Sequence, residues 1–127
     1  MFSWKRPDSL GASGGRLARC KRTPNCVSSQ ADPVDKEHHI APIAYRGTMS
    51  DLIRRVQAMP GAAVIRNEAN YLYAEFRSRL LRFVDDVELL YDEKAGLLHV
   101  RSASRLGRRD FGVNRKRMET LRRILAS

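Results

Sequence analysis

The chain reads as an α+β domain, a single layer of about four antiparallel strands packed by an N-terminal and a C-terminal helix. Three observations predict it. Residues 49–59 carry apolar side chains at helical spacing, residues 62–104 switch to alternation broken by turn residues, and residues 114–125 return to helical spacing. Consecutive strands with short connections favour an antiparallel meander, because parallel neighbours would need long crossovers.

Taken in order, residues 1–18 hold Gly11, Gly14 and Gly15 among Ser and Ala, which predicts a flexible lead-in to a single domain over 19–127. The lead-in is rich in Ser and Arg and poor in acid, as organelle transit peptides are, but it reads better as a plain extension. Residues 19–47 contain Pro24, Pro33 and Pro42 and no sustained period, so an irregular but packed segment is expected. Met49, Leu52, Ile53, Val56 and Met59 then mark a helix. Thr48 or Ser50 can cap it and Pro60-Gly61 stops it. Strands follow at 62–66, 70–78, 82–91 and 97–104, with Asp92-Glu93-Lys94-Ala95-Gly96 as a hairpin loop. A last helix is expected from Asn114, as N-cap, to Leu125. Met118, Leu121, Ile124 and Leu125 would face the sheet, and Arg115, Lys116, Arg117, Arg122 and Arg123 would stay mostly outside.

Composition narrows the function classes. A chain of 127 residues with 43% hydrophobic content can bury a core, so wholesale disorder is not expected. No apolar run approaches the roughly 20 residues of a membrane span. The first residues also lack the apolar stretch of a secretory signal, and a soluble cytoplasmic protein is expected. The net charge of +10 belongs to the ends: +5 in residues 1–30, −2 in 31–100 and +7 in 101–127. Such asymmetry suggests attraction to nucleic acid, anionic lipid or a phosphorylated ligand, unless it reflects only an Arg-rich surface.

Alternation sorts the strands into two faces. Leu72, Ala74, Phe76, Phe83, Val87, Leu89, Leu98 and Val100 form the apolar one. Asp85 falls among them and needs a partner, from an Arg in 101–109 or from a helix N-terminus. The other face collects Tyr71, Tyr73, Glu75, Arg77, Arg82, Asp86, Glu88, His99 and Arg101. On spacing this predicts a solvated ladder of cross-strand ion pairs, with a concave polar pocket as the alternative. Beside it, Arg101, Ser102, Ser104, Arg105, Arg108 and Arg109 put hydroxyls and guanidinium groups within nine residues. That density suits an anion.

Several segments coincide with a known family. Thr23-Pro-Asn-Cys-Val-Ser-Ser-Gln30, Ile40-Ala-Pro-Ile43, Phe83-Val-Asp-Asp-Val-Glu88, His99-Val-Arg-Ser-Ala-Ser-Arg105 and Phe111-Gly-Val-Asn-Arg115, in this order, resemble the DUF1499 family of small bacterial and plant plastid-type proteins. The resemblance runs from about Cys20 to Leu125. It implies one compact domain whose motif residues matter as a set, and it implies no mechanism, cofactor or substrate. The chain departs from relatives that carry an aromatic residue after the Gly of the Arg-Leu-Gly turn, where Arg108 stands.

The remaining chemistry is sparse. Cys20 and Cys26 are too widely spaced for a thioredoxin-type motif and lack the paired spacing of a zinc ribbon. A local disulfide and two reduced thiols both fit. A metal site completed by His38 and His39 is disfavoured, because adjacent His side chains rarely share an ion, and no metal or cofactor is expected. Cys26 with His99 or His39 could supply a nucleophile and a base, but no motif ties them together, and phosphate-binding glycine loops are absent.

The expected function is a binding module for an anionic small molecule or an acidic protein surface. Arg101, Ser102, Ser104, Arg105, Arg108 and Arg109, with Arg77 and Arg82, would hold the anion while Glu75, Asp86 and Glu88 orient the guanidinium groups. On this reading Arg105→Ala removes ligand stabilisation and leaves the fold largely intact. The alternatives are non-specific binding of nucleic acid or anionic lipid by the basic C-terminal helix, and a Cys-dependent enzyme.

Overall fold

The computed structural model describes residues 5–78, 83–107 and 109–127. The chain forms β1 (Cys26–Ser28), β2 (Ile43–Ala44), α1 (Met49–Gln57), β3 (Ala62–Glu68), β4 (Tyr71–Arg77), β5 (Val84–Asp92), β6 (Leu97–Ser104) and α2 (Val113–Ala126). It is an α+β fold. The strands make one antiparallel sheet in the order β1-β6-β5-β4-β3, and β2 also pairs with β6. The sheet has six strands rather than about four. The two extra strands come from the segment expected to be irregular, where runs of two and three residues are too short to display a period. They share the free edge of β6, with Cys26 opposite Ala103, Ser28 opposite Arg101, and Ile43 opposite Leu98.

Thr48 caps α1, its hydroxyl accepting from the backbone N–H of Asp51 at 3.1 Å. The chain then turns into β3 at Gly61, whose φ is +79°. A Cβ there would lie 2.5 Å from the carbonyl oxygen of Arg77, so only glycine fits. The start of α2 differs from expectation. Asn114 is not the cap; the carboxylate of Asp110 accepts from the backbone N–H groups of Gly112 and Asn114 at 3.0 and 3.1 Å, which leaves Asn114 buried in the first turn.

One face of the sheet carries the apolar core. Leu52 and Val56 of α1 and Met118 and Leu121 of α2 pack with Leu72, Phe76, Val87, Leu89, Leu98 and Val100. Asp85 sits on this side, and among the described residues its partner is neither an Arg of 101–109 nor a helix terminus. Arg117 reaches down from α2 to its Oδ2 at 2.8 Å and lies over the ring of Phe76. A cation expected outside the helix is thus drawn inward by a buried carboxylate.

The other face is not a solvated ladder. Tyr71, Tyr73, Glu75, Asp86, Glu88 and Arg101 are all buried. Residues of the N-terminal segment cross it without regular structure, and Leu17 and Leu10 pack against Tyr71, Tyr73 and Leu90. A disulfide between Cys20 and Cys26 then joins this strap to β1.

Candidate functional site

The register of β4 on β5 places Glu75 opposite Asp86, two buried carboxylates facing each other. Like charges in such a position repel unless a cation stands between them. Arg105, just beyond β6, provides it. Its Nε and Nη2 donate to the two oxygens of Asp86 at 2.9 and 2.8 Å, and Nη2 also meets Glu75 Oε2 at 2.6 Å and the Tyr73 hydroxyl at 3.2 Å. The bonds to Asp86 are the main reason the guanidinium is held above its ordinary pKa. Burial opposes ionisation of Glu75, yet donors from Arg6, Tyr73 and Arg105 overcome it and hold the carboxyl at about 2. Tyr71 and Tyr73 titrate above their ordinary range, first because they are buried and then because their hydroxyls face carboxylates.

One register step along, Glu88 lies opposite Arg101, but the pair is imperfect. Glu88 Oε1 and Arg101 Nη1 are 3.6 Å apart, too far for a hydrogen bond. Glu88, with 0% of its surface exposed, takes the hydroxyl of Tyr71 and the backbone N–H of Gly11 on Oε2. Its Oε1 and the Nε of Arg101 are buried with no hydrogen-bond partner among the described residues. Among the described residues the Arg101 guanidinium donates only to the carbonyl of Arg19, at 3.3 Å.

The strap reaches this layer from outside. Arg6 Nε donates to Glu75 Oε2 at 2.6 Å, and Gly11 N–H donates to Glu88 Oε2 at 2.8 Å. Gln30 bonds both the N–H of Leu17 and the carbonyl of Gly15. Where residues 5–9 meet the 21–26 segment and the ends of β5 and β6, a cleft of about 610 Å³ opens. Lys5, Lys21, Arg101 and Arg105 line it against Asp8 and Asp86, with Thr23 and Ser104 alongside. Lys5 and Lys21 make no ion pair among the described residues.

The expected site residues therefore divide. Glu75, Asp86, Glu88, Arg101 and Arg105 meet in one layer, with the carboxylates in direct contact with the arginines. Ser102 and Ser104 instead bond Asn114, which also reaches the carbonyl of Asn25. Asn25 in turn pins the carbonyl of Gly107 at 2.7 Å. This network ties three of the motif segments together from beneath, so Ser102 works as a strut. Arg77 is exposed at the end of β4 and makes no ion pair among the described residues. Arg109 lies apart, beside Phe111, which is 89% exposed. Arg82 and Arg108 lie outside the described residues. Sequence reasoning missed Lys5, Arg6, Gly11 and Lys21, because a glycine-rich stretch has no period from which contacts can be read.

The groups behind the other two readings are engaged within the fold. Both cysteines are in the disulfide, so no thiol stands ready as a nucleophile. The basic face of α2 is largely used internally. Arg115 donates to the carbonyls of Lys36, Glu37 and His39, and Arg122 to those of Ala41 and Pro42. Among the described residues no group of three His, Cys, Asp or Glu side chains suits a metal ion. No described helix is long and apolar enough to cross a membrane.

Against known proteins, the model of DUF1499, described as a protein of unknown function, matches residues 16–125. No curated protein and no solved structure matches the chain.

Proposed function

Starting from the chain's membership of the DUF1499 family, we propose that it is a binding module for an anionic small molecule, held in the cleft between the strap and the ends of β5 and β6. One observation carries the reading. Arg101 lines that cleft with a buried Nε that has no partner among the described residues, beside Lys5 and Lys21, which make no ion pair there. A buried guanidinium N–H without an acceptor leaves the charge of Arg101 incompletely paired, and a phosphate or carboxylate in the cleft would offset that charge. The lining has four cations against two carboxylates, so the cleft favours an anion.

Arg105 plays a different part from the one its position in the chain suggests. Its donors are turned to Asp86 and Glu75, so it lends positive charge to the cleft wall while bracing the sheet. Lys5 and Lys21 take over as direct ligands, with Arg101 and Ser104. An acidic protein surface is a weaker fit, because the arginines lie deep in the wall. The cytoplasmic location expected from the sequence also suits the disulfide poorly, since cytosolic reductants keep thiols reduced. We place the module in an oxidising compartment, where native protein should resist alkylation until a reductant is added.

Thermal unfolding against inorganic phosphate, nucleotides, short DNA and RNA and anionic lipid headgroups, at fixed ionic strength, tests the reading. A ligand at 100 times its dissociation constant stabilises by about 2.7 kcal/mol, a readily measured shift in midpoint. One selective anion, with the shift lost in Lys21→Ala, supports the cleft. Uniform shifts that vanish in added salt would replace it with non-specific polyanion binding.

A further inference from the structure

We propose that Arg6 is a positioning residue for the cleft, and that residues 5–17 form a clamp which a bound anion draws shut. The inference rests on the anion reading above and adds to it a coupling between strap and ligand.

The geometry behind it is a repeated arrangement. Arg105 meets Glu75 and Arg101 faces Glu88, and each of these two carboxylates also takes a donor from the strap. Arg105 shares Glu75 Oε2 with Arg6, both at 2.6 Å, and the Tyr73 hydroxyl meets the same oxygen at 2.7 Å. A carboxylate oxygen has two lone pairs, so three donors crowd it. Arg101 faces Glu88 at 3.6 Å, and the other oxygen of Glu88 takes the N–H of Gly11. An anion in the cleft draws on the positive charge of Arg101 and Arg105. Glu88 and Glu75 are then left more fully to Gly11 and Arg6, and the strap seats more firmly.

Charge leads to the same coupling. Arg6 and Arg105 balance Glu75 and Asp86, so negative charge added beside them raises the attraction on Arg6. Arg6 itself does not line the cleft, whereas its neighbour Lys5 does, so seating Arg6 also brings a ligand cation into place. The strap is otherwise lightly held. Arg6 is 53% exposed on its side chain, and a Cβ at Gly14 or Gly15 would meet nothing within 4 Å. Such a segment sits at the low-stability end of the molecule, where binding energy can order it.

Coupling of this kind is reciprocal. Amide exchange of the full-length oxidised chain, with and without inorganic phosphate, reads one direction. Phosphate affinity of the wild type, Arg6→Gln, Arg6→Lys and Leu10→Ser reads the other. Phosphate should slow exchange at Gly11 and Leu17. Arg6→Gln should weaken phosphate by about fivefold or more, Arg6→Lys should recover part of the loss, and Leu10→Ser should weaken it by loosening the strap without touching charge. Phosphate that binds wild type and Arg6→Gln alike, or leaves strap exchange unchanged, overturns the clamp while leaving the anion reading in place. Phosphate that fails to bind wild type overturns both.

Discussion

The two faces of the sheet are built from alternate residues of the same strands, and they are stabilised in opposite ways. The apolar face is covered by α1 and α2 through Leu52, Val56, Met118 and Leu121. Its stabilisation is roughly proportional to area and depends little on direction. The other face buries Glu75, Asp86, Glu88, Arg101 and Arg105 beneath an irregular strap, where each group depends on a named partner. Buried ion pairs add little net stability when complete, yet removing one member is costly. The apolar face should therefore respond to volume, and the charged face to whether its pairs are complete.

Arg105→Ala is the sharpest way to break that contrast. It leaves Glu75 and Asp86 opposite each other and buried, so the loss should be about 3–5 kcal/mol in urea denaturation. This reverses the expectation that the variant would lose only ligand. Neutralising the carboxylates in the same chain, as Glu75→Gln with Asp86→Asn, should restore much of the loss. An Arg105→Ala protein as stable as wild type would mean that the layer is solvated after all.

On the apolar face, Leu121→Ala should cost about 2–5 kcal/mol, with a size set by how far the site collapses around the gap. No second substitution of charge should rescue it. Rescue by a larger neighbour, but not by a charge change, would confirm that this face responds to volume alone.

The two faces were not equally legible. The period of 49–59, the alternation of 70–78 and 97–104 and the helical spacing of 114–125 are signatures of packing against an extended surface, and the apolar face is such a surface. The charged face was legible as a set of residues but not as a buried layer. Among the described residues its cover makes polar and apolar contact through one guanidinium, one backbone N–H, one backbone carbonyl and two leucines, and none of these repeats. Arg105 was conspicuous for the charge around it in the chain, although its partners lie 19 and 30 residues upstream. Asp85 announced its need for a cation, but only the fold could show that Arg117 turns inward to meet it.

Acid should separate the faces further. Glu75 is held at about 2, below its ordinary 4.5, so its contribution is present above 4.5 and is lost as pH falls towards 2. Urea midpoints of wild type should drop across that window, and those of Glu75→Gln should drop less steeply from a lower start. Parallel slopes would show that Glu75 is not the group whose protonation loosens the strap.

The smallest expected effect lies beside the cleft, at His38. Its Nδ1 is 2.7 Å from Asp35 and its Nε2 is 2.9 Å from the carbonyl of Thr23. A neutral imidazole has one N–H, so only the imidazolium can donate to both acceptors. Burial works against the charge, but the bonds to Asp35 and Thr23 outweigh it and raise the pKa above 6.5. A group raised in this way stabilises fully below 6.5 and loses that contribution as pH rises through its folded value. The loss is local, because His38 is what joins the 31–40 segment to Thr23, in the loop that carries Lys21 into the cleft. Raising the pH should therefore lower amide protection around residues 21–25, once exchange is corrected for its intrinsic rise with pH, and weaken anion binding before any change in the apolar face. In His38→Gln both trends should flatten. An unchanged alkaline response in that variant would assign the effect to another group and leave the strap and the cleft uncoupled from His38.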